Sequence, residues 1–370
     1  MNIKNKRLIT LCFTLIMCIP ILSGCSKKPD TLITEETVET NFILRELKVE
    51  DYVTLGDYKH LNVEYEQTEI TDEMIQEFID QTYADILPES YGITDRAVAT
   101  NDMVNFNVTV HPEGETEPTG PIEHINVKVG AGQFIKGFDE HLIGKMPGDK
   151  ETFTLTFPEN YESDEALAGK TATFDIEVNY IVPVDNKTDE IINEYLNQEN
   201  IYTVEMFETW AKHYIEEQTA LKDEETFNNA VLDAFMESCT FAEELPENMI
   251  ELYKQRALEN INNIAASAGM NTESYVQHYH DSTLDEFINT YALDAAKQHI
   301  AMQAVANVEG MTISDEYIRT ELESNVDGVY YTSVDQILEE NDIESYRDYF
   351  MYERIYTYLT TTAKENTSKD

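Results

Sequence analysis

The chain has 370 residues and carries 72 acidic side chains against 25 basic ones, a formal charge of −47. That balance excludes nucleic acid as a partner, because a phosphate backbone demands a basic surface. The acidic residues are dispersed along the chain, so they read as a highly soluble outer surface or, alternatively, as charge that keeps an exposed apolar cradle from self-associating.

At the N-terminus Lys4, Lys6 and Arg7 precede an apolar run over residues 8–22 that is too short and wrongly flanked for a membrane span. The run ends in Leu22-Ser23-Gly24-Cys25. This resembles the lipobox of bacterial lipoproteins, against the alternative of an ordinary cleaved signal with an incidental cysteine. The resemblance implies a signal peptide over residues 1–24, lipidation of Cys25, a tether over 25–52, and an extracytoplasmic position on the bacterial cell membrane. Two or three acyl chains on one residue anchor stably, whereas one holds only marginally. Loss of residues 1–24 removes Cys12 and Cys18, leaving Cys25 and Cys239. No internal disulfide is then expected, and Cys239 reads as a small buried hydrophobe.

Further along, Leu61, Val63 and Tyr65 alternate as a strand does. Thr71, followed by Asp72 and Glu73 and by an apolar set at Met74, Ile75, Phe78 and Ile79, predicts a capped amphipathic helix. Alternation returns over residues 103–110, at Ile125, Val127 and Val129, at Phe153, Leu155 and Phe157, and over 172–178. The intervening His-Pro-Glu-Gly-Glu-Thr-Glu-Pro-Thr-Gly-Pro is turn chemistry. With one compact helix near 138–143, these strands predict an α+β module closed by Pro183. From residue 185 the pattern is helical. Phe227, Val231, Leu232, Phe235 and Met236 lie on one stripe, and periodic segments follow over 247–267, 283–306, 314–325 and 333–362, punctuated by Gly269, Gly310 and Gly328.

Residues 129–170 place Phe134, Ile135 and Phe138 among glycines, then a Gly-Lys-Met-Pro-Gly-Asp turn, an alternating strand, Pro158 and Tyr161. This order resembles the substrate pocket of FKBP-type peptidyl-prolyl isomerases, in the version carried by the trigger factor family. Leu-Gly-Asp-Tyr-Lys at 55–59, Ile-Thr-Asp-Glu at 70–73 and Asn-Ala-Val-Leu-Asp-Ala-Phe at 229–235 extend the resemblance over residues 53–364. It implies an FKBP-like antiparallel half-barrel with one helix over 101–183, and a mostly α-helical trigger factor C-terminal-like chaperone domain over 184–370. An arm over 53–100 is expected to pack with the helical domain. Phe134 and Ile135 would form the pocket floor, Phe138 the large aromatic under the proline ring, and Phe174 the far wall. The Tyr161 hydroxyl would reach a substrate carbonyl, and Val108 aligns where the family's first strand carries Tyr or Phe. The family's Phe followed by Asp or Glu-Gly has no counterpart in Gly-Glu-Thr-Glu-Pro-Thr-Gly-Pro-Ile-Glu-His.

The implied function is a membrane-anchored folding factor that binds unfolded or nascent exported polypeptides and isomerises Xaa-Pro bonds. The alternatives are a non-catalytic holdase and a solute-binding lipoprotein, the latter disfavoured by the helical second half. A signal and tether stand where the family has its ribosome-docking domain, so no ribosome partner is expected. No cofactor is needed for the chemistry. No metal site is expected either: His278 and His280, two apart in a helical segment, point to different faces, and no D-x-[DN]-x-[DN]-G calcium loop is present. Gly130-Ala131-Gly132 lacks the third glycine and the setting of a dinucleotide loop.

Overall fold

A computed structural model describes residues 44–114, 118–161, 167–326, 328, 331–340 and 342–367. The signal, Cys25 and most of the tether expected from the sequence lie outside the described residues. The chain divides into two compact units, one of Gln67–Asp223 and one of Glu224–Asp370 with the residues up to Glu66.

The first unit is built on a four-stranded antiparallel sheet of β2 (Met103–Pro112), β3 (Thr119–Lys128), β4 (Lys150–Thr156) and β5 (Thr171–Val182), in the order β3-β2-β5-β4. Alternation sends Val104, Phe106 and Val108 to one face, opposite Ile181, Val178 and Ile176 of β5. A register shift at Asn105/Phe106 leaves Asn179 without an opposite residue, so Val178 and Ile181 both reach the same core.

The other face is covered by α1 (Asp72–Ile86), α3 (Asp189–Leu196) and the start of α4 (Val204–Ser238). Thr71 caps α1 by accepting from the Met74 amide at 3.2 Å, and Thr188 caps α3 from Ile191. Ile79, Tyr83 and Leu87 pack with Met103, Tyr180, Val182, Ile192 and Phe207. Between helix and sheet runs a chain of side-chain amides. Asn179 donates to Asn105 and Asn107 (2.8 and 2.9 Å), Asn105 donates to Asn126 (2.8 Å), and Asn126 donates to Asp85 on α1 (2.9 Å). Lys187 pairs with Asp80 at 2.8 Å, both nearly buried.

This arrangement corrects the expected division. Residues 67–100 and 184–223 pack with the sheet rather than the helical body, because a sheet with one face already committed to a core must cover the other. Only residues 53–66 of the expected arm join the second unit.

That second unit contains α5 (Glu247–Ser267), α6 (Thr272–His280), α7 (Leu284–Glu309), α8 (Asp315–Glu323), α9 (Val334–Glu340), α10 (Ile343–Thr367) and the end of α4. Helix α7 is its axis. Ala292, Ala295, Ala296, Ala301 and Ala304 are buried and let neighbours approach closely, and Phe227, Phe235, Met249, Tyr253, Ile355 and Leu359 close the core around them. A capping box of Thr283 and Glu286 starts α7, and Gly310 ends it in the left-handed region. A two-residue pair of β1 (Val53–Thr54) with β6 (Thr240–Phe241) follows the expected arm's start. Gly56 lies so close to Ser238 that no side chain fits there.

Two expectations differ here. Leu61, Val63 and Tyr65 form no strand. They alternate in exposure against the helical core, where Tyr65 meets Phe227 edge-on at 5.0 Å. The tether ends earlier than residue 52, since Leu44 and Val49 are buried in the same core. Cys239 is half-buried, and burial pushes its thiol pKa up. Among the described residues no helix is long and apolar enough to cross a membrane.

Candidate functional site

The face of the sheet opposite α1 carries a cluster of six phenylalanines. Gly137, at φ 98°, turns the chain into α2 (Phe138–Leu142), a conformation that L side chains rarely adopt. This turn drives Phe138 into the sheet, where it is fully buried. Its ring meets Phe153 and Phe174 edge-on (5.4 and 5.6 Å), tilts against Phe106 (5.8 Å), and stacks on Phe134 (4.5 Å, 24°). Edge-on and offset pairs of this kind add about 0.5–1.5 kcal/mol each beyond the area they bury. Phe153 and Phe174 stack at 5.5 Å, and Phe157 links Phe174 to Tyr161 at 6.0 and 4.9 Å.

Polar groups brace this cluster from outside. The Gly130 amide donates to Asp139 at 2.9 Å, tying the start of the loop over 130–137 to the helix that follows it. His141 lies flat on Phe153 at 3.8 Å and is held by Glu151 at 3.0 Å. Lys145, with help from His141, keeps the Glu151 carboxyl below the usual carboxylate range.

The six residues expected from the sequence come together. Val108, Phe138 and Phe174 are buried in this one cluster, and Phe134, Ile135 and Tyr161 pack against it half-buried. The Tyr161 hydroxyl makes no hydrogen bond to another described residue. Two positions differ in kind from the expectation. Phe134 is a cover rather than a floor, since its ring lies on Phe138. The ring that β2 brings to the cluster is Phe106, two residues before Val108 on the same face and edge-on to Phe134 at 5.8 Å. Sequence reasoning did not single out Phe106, Phe153 or Phe157 for this cluster. The signal for Phe106 was present in the alternation Val104, Phe106, Val108, Val110.

Chemically, the cluster is a dry aromatic core whose half-buried edge carries Phe134, Ile135 and the Tyr161 phenol. Nothing in it is a nucleophile or a strong base, so it suits binding and conformational chemistry rather than bond cleavage.

Comparison with known proteins bears on both units. Residues 94–179 match the family model of the FKBP-type peptidyl-prolyl cis-trans isomerases, and residues 203–360 match that of the bacterial trigger factor C-terminus. The trigger factor of Staphylococcus saprophyticus subsp. saprophyticus is 34% identical over 294 residues, covering 78% of this chain and 65% of its own length. That of Staphylococcus epidermidis is 31% identical over 301 residues, covering 80% of this chain and 68% of its own. The chain thus spans about two thirds of the length of these relatives. A solved structure of the trigger factor chaperone aligns over 84% of this chain and 72% of its own, at 18% identity and a TM-score of 0.37, too low to carry an argument. With an FKBP-like sheet unit and a predominantly helical C-terminal region, the chain belongs to the trigger factor family.

Proposed function

We propose that this protein is a lipid-anchored extracytoplasmic folding factor that binds unfolded exported polypeptides and catalyses cis-trans isomerisation of their Xaa-Pro bonds. The observation that carries the reading is the convergence of Phe106, Phe138, Phe153, Phe174 and Phe157 in one cluster, with Tyr161 packed at its half-buried edge. Rotation about a prolyl amide crosses a barrier of roughly 18–20 kcal/mol set by C–N resonance, slow enough to limit folding. The planar amide is charge-separated and the twisted one is not, so an apolar surface favours the twisted form. A proline ring seated on Phe138 would be enclosed by Phe106 and Phe174, with the Tyr161 hydroxyl donating to a flanking carbonyl. Only contacts stronger in the twisted state accelerate the reaction.

A proline-limited refolding assay tests this. Wild-type protein is expected to accelerate the slow phase, Tyr161→Phe to lower that acceleration about three- to tenfold, and both to delay client aggregation equally. A wild type that leaves the slow phase untouched sinks the enzyme claim.

One observation favours a second reading, a non-catalytic holdase. Phe138 has no exposed surface because Phe134 stacks on it, so turnover requires the Phe134 ring to swing aside. Were it fixed, extended chains would bind without being turned over.

Anchoring is proposed through Cys25. Cys25→Ser is expected to move the protein from the membrane to the soluble fraction of cells. Retention in the membrane would refute the lipid anchor.

A further inference from the structure

On β4, Glu151, Phe153 and Leu155 alternate onto the core face, while Lys150, Thr152, Thr154 and Thr156 are exposed on the other. A core-facing strand position is ordinarily apolar, and Glu151 breaks that pattern. It holds two partners. His141 Nδ1 lies 3.0 Å from its Oε1, and Lys145 Nζ lies 2.8 Å from its Oε2. The side chains of His141, Glu151 and Lys145 are only 30, 27 and 31% exposed, so this is more than a pair of solvated surface charges. Lys145 holds the Glu151 carboxyl below the usual range and so ionised. An ionised carboxylate only accepts, so the imidazole donates through Nδ1, which sets the plane of its ring. The turn that carries Lys145 is fixed in its own right. The Val98 amide donates to the Lys145 carbonyl and the Gly144 amide to the Val98 carbonyl, both at 2.8 Å, and Val98 is buried in the phenylalanine cluster.

The fixed plane matters because of what it faces. The imidazole lies 3.8 Å from Phe153 with the planes 3° apart, and Phe153 in turn stacks on Phe174 at 5.5 Å and 14°. His141, Phe153 and Phe174 therefore form one run of near-parallel rings. Phe138 stands edge-on to two members of that run, at 71° to Phe153 and 84° to Phe174. His141 follows Phe138 by three residues on α2, so one short helix presents both the central ring and the ring that ends the stack. Filling space at this position would need only an aliphatic side chain. A flat ring held by a hydrogen bond to a charged partner does more, because it fixes the orientation of what it touches.

We propose that His141 is a positioning residue for prolyl isomerisation: held by Glu151 and Lys145, it fixes Phe153, and through Phe153 the angle at which Phe138 meets a proline ring. The proposal rests on the folding-factor reading above. Apolar attraction is non-directional and follows the area covered, so a small tilt of Phe138 would hardly alter binding of the planar amide. Contacts to the twisted amide depend on where the ring sits, and a misplacement of about 1 Å can cost about 100-fold in rate. The effect of His141 therefore falls on turnover rather than on affinity.

Isomerisation of a short prolyl peptide by the purified protein, measured over a range of peptide concentrations, tests this, with melting curves to show that each variant is folded. His141→Ala is expected to lower kcat at least fivefold and to change KM less than twofold. His141→Phe keeps a flat ring on Phe153 without the hydrogen bond, and should recover at least twofold in kcat over His141→Ala. His141→Gln keeps a donor for Glu151 without a ring. It should stay within twofold of His141→Ala, and it takes that variant's place if His141→Ala is poorly folded. Unchanged kcat in a folded His141→Ala or His141→Gln overturns the proposal. So does recovery by His141→Gln but not by His141→Phe, which would leave His141 only a structural partner of Glu151, and so does a loss confined to KM. A wild type without isomerase activity removes the inference together with the catalytic reading, whereas an active wild type beside an unaffected His141→Ala removes the inference alone.

Discussion

Phe138→Ala is expected to destabilise the sheet unit by about 3–5 kcal/mol, the range for deleting a buried phenylalanine, and to abolish measurable prolyl isomerisation. The size of the effect follows from position. The ring is fully enclosed and touches four other rings, on β2, β4, β5 and the loop before α2. Its loss therefore opens a cavity at the centre of the unit. Because an unfolded variant would also be inactive, Phe138→Leu is the informative companion. It keeps most of the volume, is expected to cost less than about 1.5 kcal/mol, and should still lose at least tenfold in rate. Phe134→Ala is expected to act in the opposite direction on binding. Removing the half-buried cover exposes the Phe138 face, so affinity for a prolyl peptide should rise at least threefold with only a small loss of stability. Denaturant unfolding and a prolyl-peptide assay read all three variants. Full activity in Phe138→Leu would remove Phe138 from the chemistry, and weaker binding by Phe134→Ala would make Phe134 a wall that grips substrate.

Acidification is expected to destabilise the helical unit through His299. This side chain is buried on α7, with its Nδ1 2.6 Å from the Tyr253 hydroxyl and its Nε2 lacking a hydrogen-bond partner among the described residues. Tyr253 and Arg256 face it from α5, and Asp348 and Tyr352 line the same small cavity from α10. Burial first, and the Arg256 charge second, push its pKa from 6.5 down to about 3. In the unfolded chain the imidazole takes a proton near pH 6.5, whereas the folded protein resists it until about pH 3. Between these values the unfolded state binds more protons, so stability is fully present above pH 6.5 and falls as pH falls. By pH 5 the loss should be about 2 kcal/mol, at 1.36 kcal/mol per unit. Asp294 and Glu353 of the same unit, whose carboxyl pKa burial raises, act in the opposite direction, because there the folded state binds more protons. His299→Gln keeps a polar partner for Tyr253 and should flatten the dependence between pH 6.5 and 5. Denaturant melts at closely spaced pH values would show it, and an equal slope in the variant would clear His299 of the effect.

What could be read from the residues depended on the range of the signal. The Thr71 cap, the alternating strands and the short helix at Phe138 are local, and each formed where expected. So did the helices over 247–267, 283–306 and 314–325, whereas the segment over 333–362 is two helices, α9 and α10. The short helices α3 and α6 fall in stretches read as helical without bounds of their own. The stripe on α1 announces burial but not a partner, and it found the sheet instead of the helical body. Alternation at Leu61, Val63 and Tyr65 reports half-burial, which an unpaired extended segment against helices satisfies as well as a strand does. In the site, alternation assigns Phe106 and Val108 to one face without saying which of them reaches the rings. Only the three-dimensional spacing to Phe134 and Phe138 decides that.

The amide chain from Asn179 through Asn105 and Asn126 to Asp85 makes the two sides of the sheet chemically incompatible. Slipping β2 by one residue would thrust Asn105 among phenylalanines and strand Phe106 against hydrogen-bonding groups, both heavily penalised. Misaligned hairpins should therefore come apart before they consolidate. The sheet would in this way carry a check on its own register.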